Sequence, residues 1–275
     1  MATTSTGAAG AAAPVGALLR HWRRVRGKSQ LGLALQAGVS ARHLGFLEIG
    51  RANPSREMVL LLAGVLDVPL RERNALLLAA GYAPMYRETG LDAPAMGQAR
   101  KALDLILRHQ EPYPAVVMDR HWNILTSNRA AVRFFAELVP PPAPGQKANV
   151  VRSMFDPSGL RPYVANWEAV AEALVQRIHR EALGGVPDEG TSALLEEILS
   201  YPGVPARWRS PDLLAAAPGP YLSVMFRKGE LAMDFFSTVT TLGTPLDVTL
   251  QEIRIESFFP ADERTEAAAW RLASS

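Results

Sequence analysis

The chain has 275 residues, 48% of them hydrophobic and 20% charged, with 29 Lys+Arg against 27 Asp+Glu and no cysteine. That composition excludes a disulfide framework, a thiolate metal site and a cysteine nucleophile, and it fits a globular cytoplasmic protein of one or two domains. The net charge of +2 conceals an asymmetry: residues 1–90 hold 11 basic and 5 acidic side chains and the remainder 18 and 22, so a basic first third suited to a polyanion precedes an acidic rest.

Residues 1–14, rich in Ala, Gly and Thr, lack a basic n-region and an apolar core, and read as a disordered tail rather than a signal peptide. The most continuous apolar run, 58–66, is too short to cross a bilayer, so no membrane partner is expected. Val15, Leu18, Leu19, Trp22 and Val25 form a helical stripe ending at Gly27. Ser29 precedes a second short helix carrying Leu31 and Leu33 to Leu35, closed at Ala37-Gly38 by a turn that needs positive φ. Ser40 caps a third, with Leu44 and Leu47 inward and Gly50 at its end. Asn53-Pro54-Ser55 leads into a fourth, whose predicted core face is Met58, Leu61, Leu62 and Val65, and Pro69 starts a fifth that stops at Gly81. Five short helices, the second and third joined by a Gly-containing turn, predict a helix-turn-helix.

Leu19-Arg20, Arg23, Ser29-Gln30, Leu33-Ala34, Ala37-Gly38-Val39-Ser40, Leu44, Leu47-Glu48, Gly50-Arg51 and Pro54-Ser55 resemble the phage-repressor-like (XRE) DNA-binding domain. The resemblance implies a double-stranded DNA operator as partner and the third helix as the element that enters the major groove. Ser40, Ala41, Arg42, Gly45 and Phe46 then fall at or near base edges, with Arg42 placed to take guanine O6 and N7 bidentately. Phe46 and Gly45 replace polar residues common there, which leaves thymine-methyl contact or plain packing for Phe46. His43 either reaches a phosphate or covers the helix end. The resemblance further implies that Gln30 grips the DNA backbone at the start of the second helix, with Arg51 and Asn53 on the other flank. It also implies an internal ion pair between Arg23 and Glu48, a structural role rather than a DNA contact.

Past Ala83 the pattern changes. A helix is predicted over 96–109 with Ala99, Leu103, Ile106 and Leu107 inward, followed by strands over 115–118 and 122–126 parted by Asp119-Arg120-His121. Asn128 caps a helix through Leu138, and 140–149 reads as a surface loop. Helices over 163–183 and 191–200 precede three antiparallel strands over 221–227, 231–240 and 250–258, the first two joined by a Lys228-Gly229-Glu230 turn. In the last strand Ile253 and Ile255 face one way and Glu252, Arg254 and Glu256 the other, which predicts one buried and one wet face. Two strands, a block of helices and three strands is the order of a PAS-like α+β domain, a five-stranded antiparallel sheet with helices over one face.

Ala79 to Pro84, Glu111 to Arg120, Trp122-Asn123, Asn128 and Trp167 resemble the MmyB-like transcription regulators, which join an XRE domain to a PAS-like ligand-binding domain. The implied protein is a ligand-responsive regulator whose pocket takes an apolar, fatty-acid-like molecule. Trp122, Phe134, Phe135, Met154, Phe155, Trp167, Met225, Met233 and Phe235 either fill a core or line an adaptable cavity. Arg152, Arg161, Tyr163 and Arg180 are the candidates for a ligand carboxylate. A homodimer is expected, because two recognition helices on a pseudo-palindromic operator lie roughly 34–36 Å apart. No G-x-S-x-G, H-E-x-x-H, P-loop or G-x-G-x-x-G occurs and the five histidines are scattered, so neither catalysis, nor a metal, nor a cofactor is expected. The alternative is a rear domain that only dimerises or docks a protein. The domains so read are a tail at 1–14, a helix-turn-helix domain at 15–82, a linker at 83–95, a PAS-like domain at 96–262 and a tail at 263–275.

Overall fold

The computed structural model describes residues 14–141, 143, 145–183, 188–210 and 221–274. Positions 1–13 of the predicted tail, and 142 and 144 of the predicted loop, lie outside them. The chain divides into two compact units, one running to Arg87 and including Leu246–Val248, the other made of Glu88–Pro245 and the residues from Thr249 on.

The first unit is all helix: α1 (Val15–Val25), α2 (Gln30–Ala37), α3 (Ala41–Glu48), α4 (Arg56–Val65) and α5 (Leu70–Ala79). Ser29, Ser40 and Ser55 each accept a hydrogen bond from the backbone N–H three residues on, satisfying donors that a helix start leaves open. Gly38, at φ 66°, makes the turn between α2 and α3. Leu19, Trp22, Leu33, Leu44, Leu47, Leu62 and Leu77 form the core. Two faces differ from expectation. On α4 the core takes Val59, Leu62 and Ala63 and leaves Leu61 43% exposed, while on α2 it takes Leu33, Ala34 and Ala37 and leaves Leu31 and Leu35 outside at 61% and 73%. These helices are apolar on nearly every side, so their pattern carries no phase.

The second unit contains α6 (Gly97–His109), β1 (Ala115–Met118), β2 (Ile124–Ser127), α7 (Arg129–Leu138), α8 (Val150–Phe155), α9 (Trp167–Leu183), α10 (Glu189–Ser200), β3 (Ser223–Lys228) and β4 (Leu231–Thr240). After α11 (Val248–Glu252) come β5 (Arg254–Pro260) and α12 (Glu263–Ser274). The strands form one antiparallel sheet in the order β2-β1-β5-β4-β3. The first and last strands thus lie side by side, with the last at the centre.

Several expectations are corrected. Residues 263–274, read as a tail, form α12, which Asp262 caps through the Thr265 N–H and which buries Thr265 and Ala269 against β4 and α7. The predicted last strand loses 250–252 to α11, and α8 emerges straight after the predicted loop. The sheet is covered on both faces, not one. Leu103 and Leu107 of α6 pack on Ala115, Val117, Ile253 and Ile255, with Ile106 turned outward at 38% exposure. On the opposite face Phe134 of α7 meets Phe226, Phe235 and, through Phe135, Phe258 in edge-on contacts. That face continues into a large core with Met118, Met154, Phe155, Val175 and Trp208.

Asn128 joins three elements. Its Oδ1 accepts from Ala131 N at 2.9 Å and Ala115 N at 3.0 Å, while Nδ2 donates to the Tyr113 and Leu107 carbonyls at 2.8 and 3.3 Å. Both ends of a buried amide are therefore spent on the end of α6, the start of β1 and the start of α7. Replacing Asn128 with Ala strips these groups of their partners and is expected to cost about 2–4 kcal/mol in urea unfolding. Asn128→Asp restores only the acceptor half, so its cost should remain large; a near-neutral Asp variant would disprove the donor role.

Candidate nucleic-acid interface and internal polar cluster

Glu48, at the end of α3, is 3% exposed. Arg23 of α1 holds it by a two-pronged pair, Nε to Oε1 at 2.6 Å and Nη2 to Oε2 at 2.9 Å, and its Nη1 also donates to the Lys28 carbonyl. Gln30 Nε2 donates to Oε2 at 2.8 Å, and Arg20 Nη2 donates to the Glu48 carbonyl at 2.9 Å. Gly16 lets α1 approach this closely, since a Cβ there would lie 2.3 Å from the Leu47 carbonyl oxygen. Burial alone would raise the Glu48 carboxyl; the hydrogen bonds from Arg23 and Gln30 outweigh it and hold the group below the usual range. The parts of Arg20 and Gln30 in this cluster were not foreseen from the sequence, where Arg20 had no role and Gln30 was placed at the DNA backbone.

Around that anchor, Ser40, Arg42, Arg51, Asn53 and Gln30 are exposed and Ala41, His43, Gly45 and Phe46 are half-buried. The Arg42 guanidinium lies 5.4 Å from the Phe46 ring centre, so the aromatic ring supports the cation at the outer face of α3. His43 donates its backbone N–H to the Ser40 cap. Gln30 spends one amide hydrogen on Glu48, which fixes its side chain against α3.

In the second unit the predicted pocket residues fall in two groups. Trp122, Phe134, Met154, Phe155, Met233 and Phe235 are buried in the large core, and Phe135 and Trp167 pack against it half-buried. Met225 is the exception: it lies opposite Asp234 on the other face of β3 from Phe226, a correction that follows from strand alternation. The carboxylate candidates lie apart. Arg152 pairs with Glu197 at 2.8 Å; Arg161 covers the Trp167 ring at 3.8 Å and donates to the Pro202 carbonyl. Tyr163 lies under the Lys228 ammonium, and Arg180 is exposed.

The structure instead gathers other charges round Trp122, whose backbone turns through φ 67°. Arg177 of α9 and Arg254 of β5 lie over its ring at 4.6 and 5.3 Å, and both pair with Glu181 of α9, at 3.1 and 3.0 Å. Two residues beyond Arg254, Glu256 accepts from Ser237 Oγ at 2.7 Å. The face predicted to be wet is this one. Arg254 and Glu256 share it with Phe258 of the aromatic core, under the helices. Glu256 is surrounded by protein atoms on most sides and is only partly accessible. Burial pushes its carboxyl up, against the Ser237 hydrogen bond and the Arg177 charge that pull it down. Charged residues alternating with Ile253 and Ile255 hid this arrangement; the same-face Phe258 was the signal that could have found it. Beside it Asp188 caps α10 and takes Arg120 at 2.7 Å and His121 at 2.8 Å, and bonds from Thr191, His121 and Arg120 hold it far below the usual range despite burial.

Among the described residues no group of three His, Asp or Glu side chains could hold a metal, and no helix is long and apolar enough to cross a membrane. Residues 99–272 match the family model of the MmyB-like transcription regulator ligand binding domain, and residues 14–76 that of a helix-turn-helix domain. No curated protein matches. A solved structure described as that of an RNA-binding light-oxygen-voltage receptor aligns with 95% of this chain at 13% identity; the chain spans 64% of that protein, and the TM-score is 0.28.

Arg23→Ala leaves Glu48 buried without its main partner and is expected to cost about 3–5 kcal/mol, read as a lowered melting transition of the helical unit in the full chain. Arg23→Ala/Glu48→Met should recover most of that loss. Because the Glu48 carboxyl is depressed in the folded state, its contribution is present above the ordinary carboxylate range and lost as pH falls below about 4. The double variant should show a weaker acid dependence; equal acid sensitivity would assign it elsewhere.

Proposed function

This chain belongs to the MmyB-like transcription regulators, and on that premise we propose that it senses an apolar, fatty-acid-like molecule in its second unit and adjusts operator binding by the first. The helix-turn-helix domain and the ligand-binding domain are those of a transcription regulator. The single observation behind the DNA-binding half is the geometry of α3: its inner end is fixed by Glu48 and its outer turn presents Arg42, exposed and lying on the Phe46 ring. In this reading Ser40, Ala41, Arg42, His43 and Phe46 meet the major groove, and Gln30, Arg51 and Asn53 grip the backbone on either side. A homodimer supplies the second recognition helix.

The ligand half rests on the large aromatic and methionine-containing core, which passes at one edge into half-buried side chains. Occupancy changes operator affinity only through unequal binding to the competent and incompetent arrangements. Native mass spectrometry of the purified chain, before and after lipid extraction, tests it. A co-purifying, extractable apolar species of a few masses supports the sensor. An empty protein that takes up no added fatty acid would sink it and favour a domain that only dimerises or docks a protein.

Arg42→Ala is expected to lower specific affinity by about 1–3 kcal/mol and to relax one base position, read by competition against single-base operator variants. Arg51→Ala should weaken all sequences alike and reduce the slope of log K against log salt by about 0.9. An unchanged specificity ratio for Arg42→Ala would remove it from base reading.

A further inference from the structure

Helix α6 covers only part of its side of the sheet, since its buried Leu103 and Leu107 rest on side chains of β1 and β5. Beyond β5 the same face continues across β4 and β3. Strand register fixes what stands there: Phe259 pairs with Phe236, Phe236 with Ser223 and Asp234 with Met225, so these side chains project on the side of Ile253 and Ile255. Tyr221, Phe236 and Phe259 form a row across the three strands. The Tyr221 and Phe236 ring centres lie 5.7 Å apart, and Phe236 stacks on Phe259 at 5.4 Å with 18° between the planes. Cross-strand aromatic contacts of this kind stabilise a sheet. They do not account for the exposure: Tyr221 is 66% exposed and Phe236, Phe259 and Met225 stay half-buried, so water meets a flat aromatic surface.

Charge decides what such a surface meets. On the strand positions of this face the charged residues are Arg227 and Asp234, and they neutralise each other: both Nη atoms of the guanidinium donate to the one carboxylate, Nη2 to Oδ2 at 3.0 Å. Asp262, which also acts on Arg227, spends its carboxylate on the Thr265 N–H. A polyanion or a strongly charged protein finds no counter-charge here. A two-fold contact lays a patch on its own copy, which charge repulsion opposes unless the patch is neutral, as this one is. Aromatic enrichment with few charges is also the composition of an interface core. We propose that this face is where two copies of the chain meet, sheet against sheet across a two-fold axis, with the Tyr221, Phe236 and Phe259 row of one protomer packed on the same row of its partner. Sheets in face-to-face contact lie about 10 Å apart, a gap that facing aromatic side chains fill. This rests on the reading of the protein as a homodimer and names the surface that reading leaves open.

Sedimentation equilibrium of the full chain tests it, with and without operator DNA. The wild type is expected to dimerise. Tyr221→Glu, which puts like charges on the two facing rows, should raise the dimer Kd by about thirtyfold or more, and Tyr221→Ala should raise it by a smaller factor. Tyr221 is mostly exposed, so neither change empties a core position, and the circular dichroism spectrum checks the fold; if the Glu variant loses it, the Ala variant decides. Leu105→Glu, on the outer side of α6 at 46% exposure, should leave the Kd unchanged. A dimer that neither Tyr221 variant weakens, or that Leu105→Glu weakens in their place, overturns this surface and leaves the homodimer standing. A chain that stays monomeric both free and on operator DNA overturns the homodimer reading, and the surface with it.

Discussion

A carboxylate taken out of water must be answered by hydrogen bonds and opposite charge, and in both units of this chain the answer joins several elements. Glu48 is answered fully. Arg23 takes both its oxygens, Gln30 takes one of them again, and Arg20 holds the neighbouring carbonyl, so α1, α2 and the end of α3 are fixed to one point. The inner end of α3 is thereby anchored to both α1 and α2. Glu256 is answered in part, by one serine hydroxyl and the more distant charge of Arg177. A complete set of partners makes a rigid joint, and an incomplete set leaves the group's charge harder to keep.

The same contrast separates the two sides of the sheet. Under α6 the contacts are small and wholly aliphatic, Ala115 and Val117 against Leu103, Leu107, Ile253 and Ile255. Under α7 to α9 they are aromatic and methionine-containing, and they shade into guanidiniums and carboxylates at the Trp122 end. Strand β5 serves both layers at once. Its odd residues seal one face and its even residues line the other, so a one-residue slip would exchange them.

Much of this was legible in the residues. Serines three positions ahead of a backbone donor, Gly38 between two short helices, Asn128 ahead of an amphipathic run and Lys228-Gly229-Glu230 between alternating strands each act locally, and each stands where the pattern put it. What escaped depends on tertiary context. The leucines of α2 and α4 lie on all sides of their helices, so only the partner surface selects Val59 over Leu61. The alternation of β5 showed that its faces differ but not that both are covered, and Arg254 and Glu256 were therefore assigned to solvent. Helix α8 spans only Val150–Phe155 and α12 is rich in alanine; neither shows a stripe broad enough to separate it from loop or tail. Trp122 was noted for its bulk, whereas its left-handed backbone and its two guanidinium neighbours follow from a turn that sequence spacing does not reveal.

The bonds of Asn128 join residues close in sequence, from Leu107 to Ala131. Each closes a short loop, which costs little chain entropy, whereas β5 reaches β1 only after most of the unit's length has been brought round. Chain entropy alone therefore favours closing the corner made by α6, β1 and α7 over pairing the central strand that carries Arg254 and Glu256. A nascent chain still lacking its last residues would therefore own the corner but not Arg254 and Glu256, so the charged pairing with α9 would come only with completion of the fold.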